Sequence, residues 1–160
     1  MFKIINNFIN KEEHLIIKNA LESNRFAWYF QKHSVLSDPQ NKFDCHLGHN
    51  FYSNDNVTSD YFKLLNPIIK QLKVNSLIRI KGNLTLGTNK QIESAPHIDQ
   101  TFDCKVALYY LGTNNGPTII EKKKIESIEN RIVLFNSDVT HYSITCTDTP
   151  TRITINFNYV

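Results

Sequence analysis

Hydrophobic and polar positions follow two different periods along this chain. In the first half the period is helical. Asn10-Lys11-Glu12-Glu13 has the form of a capping box, and Ile16, Ile17, Ala20 and Leu21 after it give a helix one apolar face. Tyr61, Leu64, Leu65, Ile68, Ile69 and Leu72 fall at i, i+3, i+4, i+7, i+8 and i+11, which predicts a second helix, with Pro67 inside the pattern as a kink. Residues 31 to 57 between them are polar, aromatic and irregular, and read as a surface segment or lid. From about residue 76 the period becomes two. Ile78, Ile80, Leu84 and Leu86 alternate with Arg79, Lys81, Asn83 and Thr85, and Ile153, Ile155, Phe157 and Tyr159 alternate with Arg152, Thr154, Asn156 and Asn158. Shorter strands are predicted near 104–111, 117–121, 131–135 and 141–146, separated by turns at Asn114-Asn115-Gly116-Pro117, Asn136-Ser137-Asp138 and Asp148-Thr149-Pro150.

Helices followed by a run of short strands predict a mainly β fold with N-terminal helices, a helix-backed sandwich or jelly roll rather than a βαβ fold. One domain over residues 1–160 is expected, with a helical and irregular part at about 1–75 and a jelly-roll part at about 76–160. In such a fold the apolar faces of the alternating strands pack on the helices. Their Arg, Lys, Asn and Thr rows then line a wet, cationic interior; a purely solvated surface is the other reading.

Composition adds little beyond a soluble globular class: 41% hydrophobic, 21% charged, net charge +3. That charge permits an anionic partner without demanding a nucleic acid. No run is long enough to span a membrane, and the N-terminus lacks the pattern of a signal peptide. Cys45, Cys104 and Cys146 are odd in number with no paired spacing, which points to a reducing cytoplasm.

The chemistry concentrates in His97-Ile98-Asp99, His141 and Arg152. On a strand, residues two apart share a face, so His97 and Asp99 present an imidazole and a carboxylate together. His141 supplies a second imidazole. Two nitrogens and one oxygen leave adjacent positions open on an octahedral ion, as in non-heme Fe(II) oxygenases, although Mn(II), Co(II) and Zn(II) also suit these donors. Arg152 is placed to hold a carboxylate co-substrate. Asp103 and Asp138 are turn residues by this reading. Cys45-His46-Leu47-Gly48-His49 lacks a second pair at zinc-finger spacing and belongs to the segment over the pocket, with His46 and His49 as weaker substrate contacts. Phe26, Trp28, Tyr29 and Phe30 are expected in the core, and Glu121-Lys122-Lys123-Lys124 in a solvated hairpin.

Beyond these residues, Pro96-His97-Ile98-Asp99, the run from Ala107 to Thr118, Asn130-Arg131-Ile132-Val133-Leu134-Phe135 and the stretch from His141 through Arg152 to Tyr159 resemble the prolyl 4-hydroxylase-like branch of the 2-oxoglutarate- and Fe(II)-dependent dioxygenases. The likeness is greatest to the small members common in marine phage and bacterial genomes. It implies a double-stranded β-helix of cupin type backed by helices. It further implies iron on His97, Asp99 and His141, and the distal carboxylate of 2-oxoglutarate on Arg152 with Tyr110 and Thr118. Asn83 is a further co-substrate contact by the same resemblance, and Lys81 a weaker one on its face. The implied reaction consumes 2-oxoglutarate and O2, hydroxylates a C–H bond and yields succinate and CO2, with ascorbate as an optional reductant. A peptidyl or free amino-acid substrate is favoured, and nucleic acid stays open. A non-catalytic binding module on the same barrel and a nucleobase-oxidising enzyme are the alternatives; a zinc hydrolase would leave Arg152 without a task.

Overall fold

In the computed structural model, residues 1–31 and 46–160 are described. Helix α1 (Lys11–Leu21) forms where the capping box places it: the Asn10 side chain accepts from the Glu13 backbone N–H at 2.8 Å. Glu12 and Glu13 in its first turn and Lys18 in its last both suit the helix dipole. Ile17 and Leu21 are buried, but Ile16 is 58% exposed, so the apolar stripe is narrower than the sequence pattern. Pro67 does not kink a long helix. Asp60–Leu65 is instead a 3-10 turn capped by Ser59, and α2 (Asn66–Leu72) begins with Pro67 in its first turn, where a missing N–H is harmless.

The major sheet is built around two long antiparallel partners, β5 (Leu77–Leu86) and β11 (Thr151–Tyr159). On one side of β11 follow β6 (Lys105–Tyr110), β9 (Arg131–Asn136) and β1 (Lys3–Ile5). On the other side of β5 follow β3 (His46–Ser53), with the short β4 (Asn56–Val57) folded back on it, and β2 (Tyr29–Gln31). A minor sheet holds β7 (Asn114–Ile120) between β10 (His141–Ser143) and β8 (Lys123–Ser127). The strand-poor stretch after β5 runs along β10: Ile92, Glu93, Ser94 and His97 all bond or bridge to residues 141–145. Two antiparallel sheets with helices against one of them make a helix-backed jelly roll, as the order of elements predicts, and this is the double-stranded β-helix that the resemblance implies.

One segment departs from the sequence reading. Residues 46–53 are not irregular surface but a strand next to β5, with His46 and His49 buried; residues 32–45 lie outside the described residues. The alternation was masked because the position between Leu47 and Phe51 on the core face is a histidine. His49 is tolerated there because both ring nitrogens are satisfied, by the Ala27 carbonyl at 2.7 Å and Ser59 Oγ at 2.7 Å. Of the four aromatic residues expected in the core, Phe26 and Trp28 pack against each other and the core, but Tyr29 and Phe30 on the edge strand are 59% and 68% exposed.

The apolar face of the major sheet packs on the helices through Ile80, Leu84, Tyr109, Ile132, Ile155 and Phe157, against Ile17, Leu21, Leu65 and Ile68. A second cluster, including Val106, Leu108, Tyr110, Ile120, Ile125 and Phe135, runs between the sheets from beside His141 to Tyr110. The other rows of β11 matter most for function. Arg152, Thr154, Asn156 and Asn158 are 3%, 3%, 7% and 0% exposed, so the polar row is interior.

A buried polar chain ties α1 to the sheet. Tyr109 donates to Asn130 Oδ1 at 3.0 Å and so accepts from His14 Nδ1 at 2.6 Å, while Asn130 Nδ2 donates to the Ile9 carbonyl. Burial holds His14 below its ordinary value, partly opposed by Glu129. The unfolded chain then binds more protons than the folded one, so stability present at neutral pH is lost as pH falls below about 6.5. The urea midpoint is expected to drop between pH 7.5 and 5.5, and to drop less in His14→Gln. Equal declines in both proteins would contradict this account of His14.

Candidate functional site

His97 and His141 are joined through their backbones: each N–H donates to the other's carbonyl, at 3.0 and 2.9 Å. This pairing stacks the two rings 4.4 Å apart at one end of the space between the sheets. Each Nδ1 lies beside the carbonyl of the residue two before it, Ala95 at 3.1 Å and Val139 at 3.0 Å. A proton on Nδ1 satisfies that contact and leaves Nε2 with its lone pair exposed to the interior, the tautomer a metal ligand needs. Burial holds His141 below its ordinary value, with Asp99 opposing, which also favours the neutral ring.

Asp99 is fixed by the Ser137 carbonyl on its backbone N–H and by side chains of the major sheet. Its Oδ2 accepts from Asn156 Nδ2 at 2.8 Å and Asn158 Nδ2 at 3.1 Å. Its Oδ1 faces Arg79 Nη2 at 3.5 Å and His141 Nε2 at 3.9 Å. Arg79 is itself steered by Asn158 Oδ1, at 3.1 Å from Nε. One donor atom from each of His97, Asp99 and His141 lies within 4.8 Å of the others. Two imidazole nitrogens and one carboxylate oxygen at that separation match the donor set for a divalent first-row ion.

Toward the start of β11 the chemistry changes. Arg152 is buried; its Nε donates to the Gly116 carbonyl at 2.8 Å and its Nη2 to Thr118 Oγ1 at 2.7 Å. Tyr110 donates to the same Thr118 oxygen at 2.8 Å, and the guanidinium lies 5.7 Å from the Tyr110 ring centre. Among the described residues no carboxylate pairs with Arg152, and Nη1 has no hydrogen-bond partner. Burial depresses the guanidinium's pKa and raises that of the Tyr110 hydroxyl. A buried cation without an anion is costly, and a bound carboxylate would relieve the cost.

The predicted residues thus fall into two groups along one strand face. His97, Asp99 and His141 meet at the Asn156–Asn158 end, and Arg152, Thr118 and Tyr110 meet at the other. Asn83 lies between them by register, opposite Thr154, half-buried and making no side-chain hydrogen bond to a described residue. Asp103 and Asp138 are exposed, as turn residues should be. His97-x-Asp99 is not on a regular strand; only His97 bridges to β10.

Sequence reasoning missed Arg79, Asn156 and Asn158 as supports of Asp99, although all three lie on the alternating polar rows that were read. It also missed Gly116. A Cβ there would lie 2.7 Å from the Ile144 carbonyl oxygen, 2.8 Å from the Cys146 nitrogen and 3.0 Å from Arg152 Cδ, so glycine lets the 144–146 backbone and the arginine both pack against it.

The fold is a helix-backed double-stranded β-helix, and solved 2-oxoglutarate–Fe(II) oxygenases share it. Among solved structures, it is similar to a Burkholderia pseudomallei oxidoreductase of the 2OG-Fe(II) oxygenase family (TM-score 0.74, 10% identity, 99% of this chain and 84% of that one). It is also similar to a Trichoplax adhaerens prolyl hydroxylase bound to a hypoxia inducible factor peptide (TM-score 0.69, 16% identity, 99% and 83%). A third likeness is to the epimerase SnoN with Fe3+, alpha ketoglutarate and nogalamycin RO (TM-score 0.68, 11% identity, 99% and 78%). No protein-family model and no curated protein matches the sequence. The likeness at these identities is one of fold.

Proposed function

We propose that this chain is an Fe(II)- and 2-oxoglutarate-dependent oxygenase that hydroxylates a C–H bond, with His97, Asp99 and His141 holding the metal. The observation that carries the reading is the pairing of two incomplete sites on one buried strand face. A cluster of three metal donors lies at one end, and a buried arginine without an anion lies at the other. A dicarboxylate that reaches from one to the other completes both. Bound there, Fe(II) and 2-oxoglutarate would supply the chemistry that couples O2 reduction and loss of CO2 to substrate oxidation.

The protein's own work is positional. Backbone carbonyls set both histidine tautomers, and Asn156 and Asn158 orient Asp99 through Oδ2. Arg152 selects a dianionic co-substrate, and Thr118 and Tyr110 hold the guanidinium's approach. Asn83 completes the floor between the two ends. The apolar cluster around Tyr110 keeps bulk water from the arginine end, which strengthens its electrostatics. Amino-acid or peptidyl substrates fit the proposal best, since a prolyl hydroxylase with a bound peptide shares the fold.

The direct test is succinate release from 2-oxoglutarate with Fe(II), coupled to a 16-dalton gain in a candidate substrate. Two further outcomes are expected. Asn156→Ala should weaken Co(II) binding about 10- to 100-fold, the usual cost of losing a partner of a ligating carboxylate; unchanged affinity in a Co(II) titration would contradict the role of Asn156. Gly116→Ala should raise the 2-oxoglutarate dissociation constant at least about tenfold by displacing the 144–146 backbone and Arg152 packed beside it, with a smaller effect on Co(II) affinity. Isothermal titration with each ligand checks both arms.

A further inference from the structure

Beside the metal donors, the polar face of β5 carries two more cations. On β5, Arg79 lies opposite Asn158 and Lys81 opposite Asn156. Lys81 is half-buried, and its stem crosses Gly48 of the neighbouring strand: a Cβ at Gly48 would stand 3.0 Å from Lys81 Cε. Its ammonium sits 3.3 Å from His46 Nε2. An ammonium can only donate, so that histidine nitrogen accepts and is unprotonated. Among the described residues no carboxylate lies within ion-pairing distance of Lys81. Burial holds the lysine below its ordinary value, with the nearby Arg79 pushing the same way and Asp99 opposing.

Charge counting gives this arrangement a meaning, and it rests on the oxygenase reading above. A divalent ion, Asp99, Arg152 and a doubly negative co-substrate together sum to zero. Arg79, which faces Asp99, and Lys81 then remain as two positive charges, and the Lys81 ammonium meets His46 on β3, across β5 from the strand that carries Arg152. Lys81, half-buried and with no carboxylate partner among the described residues, is held at a cost that a bound anion removes. The gap over Gly48 keeps Lys81 extended across the sheet rather than folded out to solvent.

We propose that the primary substrate carries an oxyanion, a carboxylate or a phosphate, which docks on Lys81 with Arg79 beside it and so sets which C–H bond faces the metal. Lys81 is then a specificity-determining residue of the oxidation, and neutral analogues of the substrate bind poorly.

The test uses the full chain loaded with Mn(II) and 2-oxoglutarate without O2, so that Arg152 and the metal are already engaged. Matched probes are added: aspartate against asparagine, glutamate against glutamine, and phosphoserine against serine, each free and within a capped tripeptide. Binding is read by calorimetry and melting temperature. At least one acidic probe is expected to bind about tenfold or more tightly than its neutral twin, the scale of one charge-assisted hydrogen bond. The carboxylate and phosphate series show which oxyanion is preferred. The preference should collapse in Lys81→Gln and persist in Lys81→Arg, whose melting temperatures without probe report folding. The proposal is overturned if no acidic probe binds, if neutral twins bind equally well, or if the preference survives Lys81→Gln. Failure of the oxygenase reading looks different: wild-type protein would then show no melting shift with Mn(II) and 2-oxoglutarate before any probe is added.

Discussion

Replacing Arg152 with methionine is expected to weaken 2-oxoglutarate binding about two orders of magnitude, roughly 3 kcal/mol, the scale for truncating one member of a buried charge pair. The same change should leave the ligand-free protein about as stable as wild type, within ~1 kcal/mol. These opposite outcomes follow from one fact: the guanidinium is buried with hydrogen bonds to Gly116 and Thr118 but no anion. Without co-substrate, its desolvation offsets what its hydrogen bonds contribute, and a methionine of similar length fills the space without the charge. With co-substrate, the charge becomes the main source of affinity. Thermal melts with and without 2-oxoglutarate separate the two effects. A large loss of stability in ligand-free Arg152→Met, with an unchanged 2-oxoglutarate-induced shift, would show the arginine to be structural.

The second large effect is expected at the metal donors. Asp99→Ala and His141→Ala should each lower Co(II) or Fe(II) affinity by more than the ~10- to 100-fold typical of an outer-shell change, and succinate formation should fall to background. Asp99→Ala also removes the acceptor of Asn156 and Asn158, two buried amides, and so leaves donors unsatisfied. Its folding stability should drop by about 1–3 kcal/mol, whereas Asp99→Asn, which keeps an acceptor oxygen, should lose metal with a smaller stability cost. Absorption of the Co(II) protein and urea unfolding measure the two quantities. Retention of Co(II) by both Asp99→Ala and His141→Ala would place the metal elsewhere.

Much of this was legible in the residues because two strong local signals coincide with the tertiary structure. The Asn10 box and the alternation of β5 and β11 each describe a face that the fold does bury. The His97-x-Asp99 spacing survived even though that stretch is no regular strand, because a single backbone bridge to His141 suffices to aim both rings inward. What was illegible depends on contacts distant in sequence. Strand β3 hid behind His49, whose burial needs Ala27 and Ser59 as partners. The start of α2 at Pro67 was read as a kink because apolar spacing cannot distinguish a 3-10 turn leading into a helix from one continuous helix. The Asn156 and Asn158 amides were legible only as members of a polar row, interior or solvated, and it is the approach of Asp99 from the opposite side that gives them a task. Gly116 is required by the backbone at Ile144 and Cys146 and by Arg152, all distant from it in sequence.

The central claim is that one buried face joins a metal site to a carboxylate site through a single bridging co-substrate. Anaerobic titration of the Fe(II)-loaded protein with 2-oxoglutarate, followed by visible absorption, tests it most directly. The account predicts a weak metal-to-ligand charge-transfer band that saturates with one equivalent of 2-oxoglutarate. The band should be absent in Asp99→Ala and should require much higher 2-oxoglutarate in Arg152→Met. Absence of the band in the wild-type protein, or an identical titration in Arg152→Met, would contradict it.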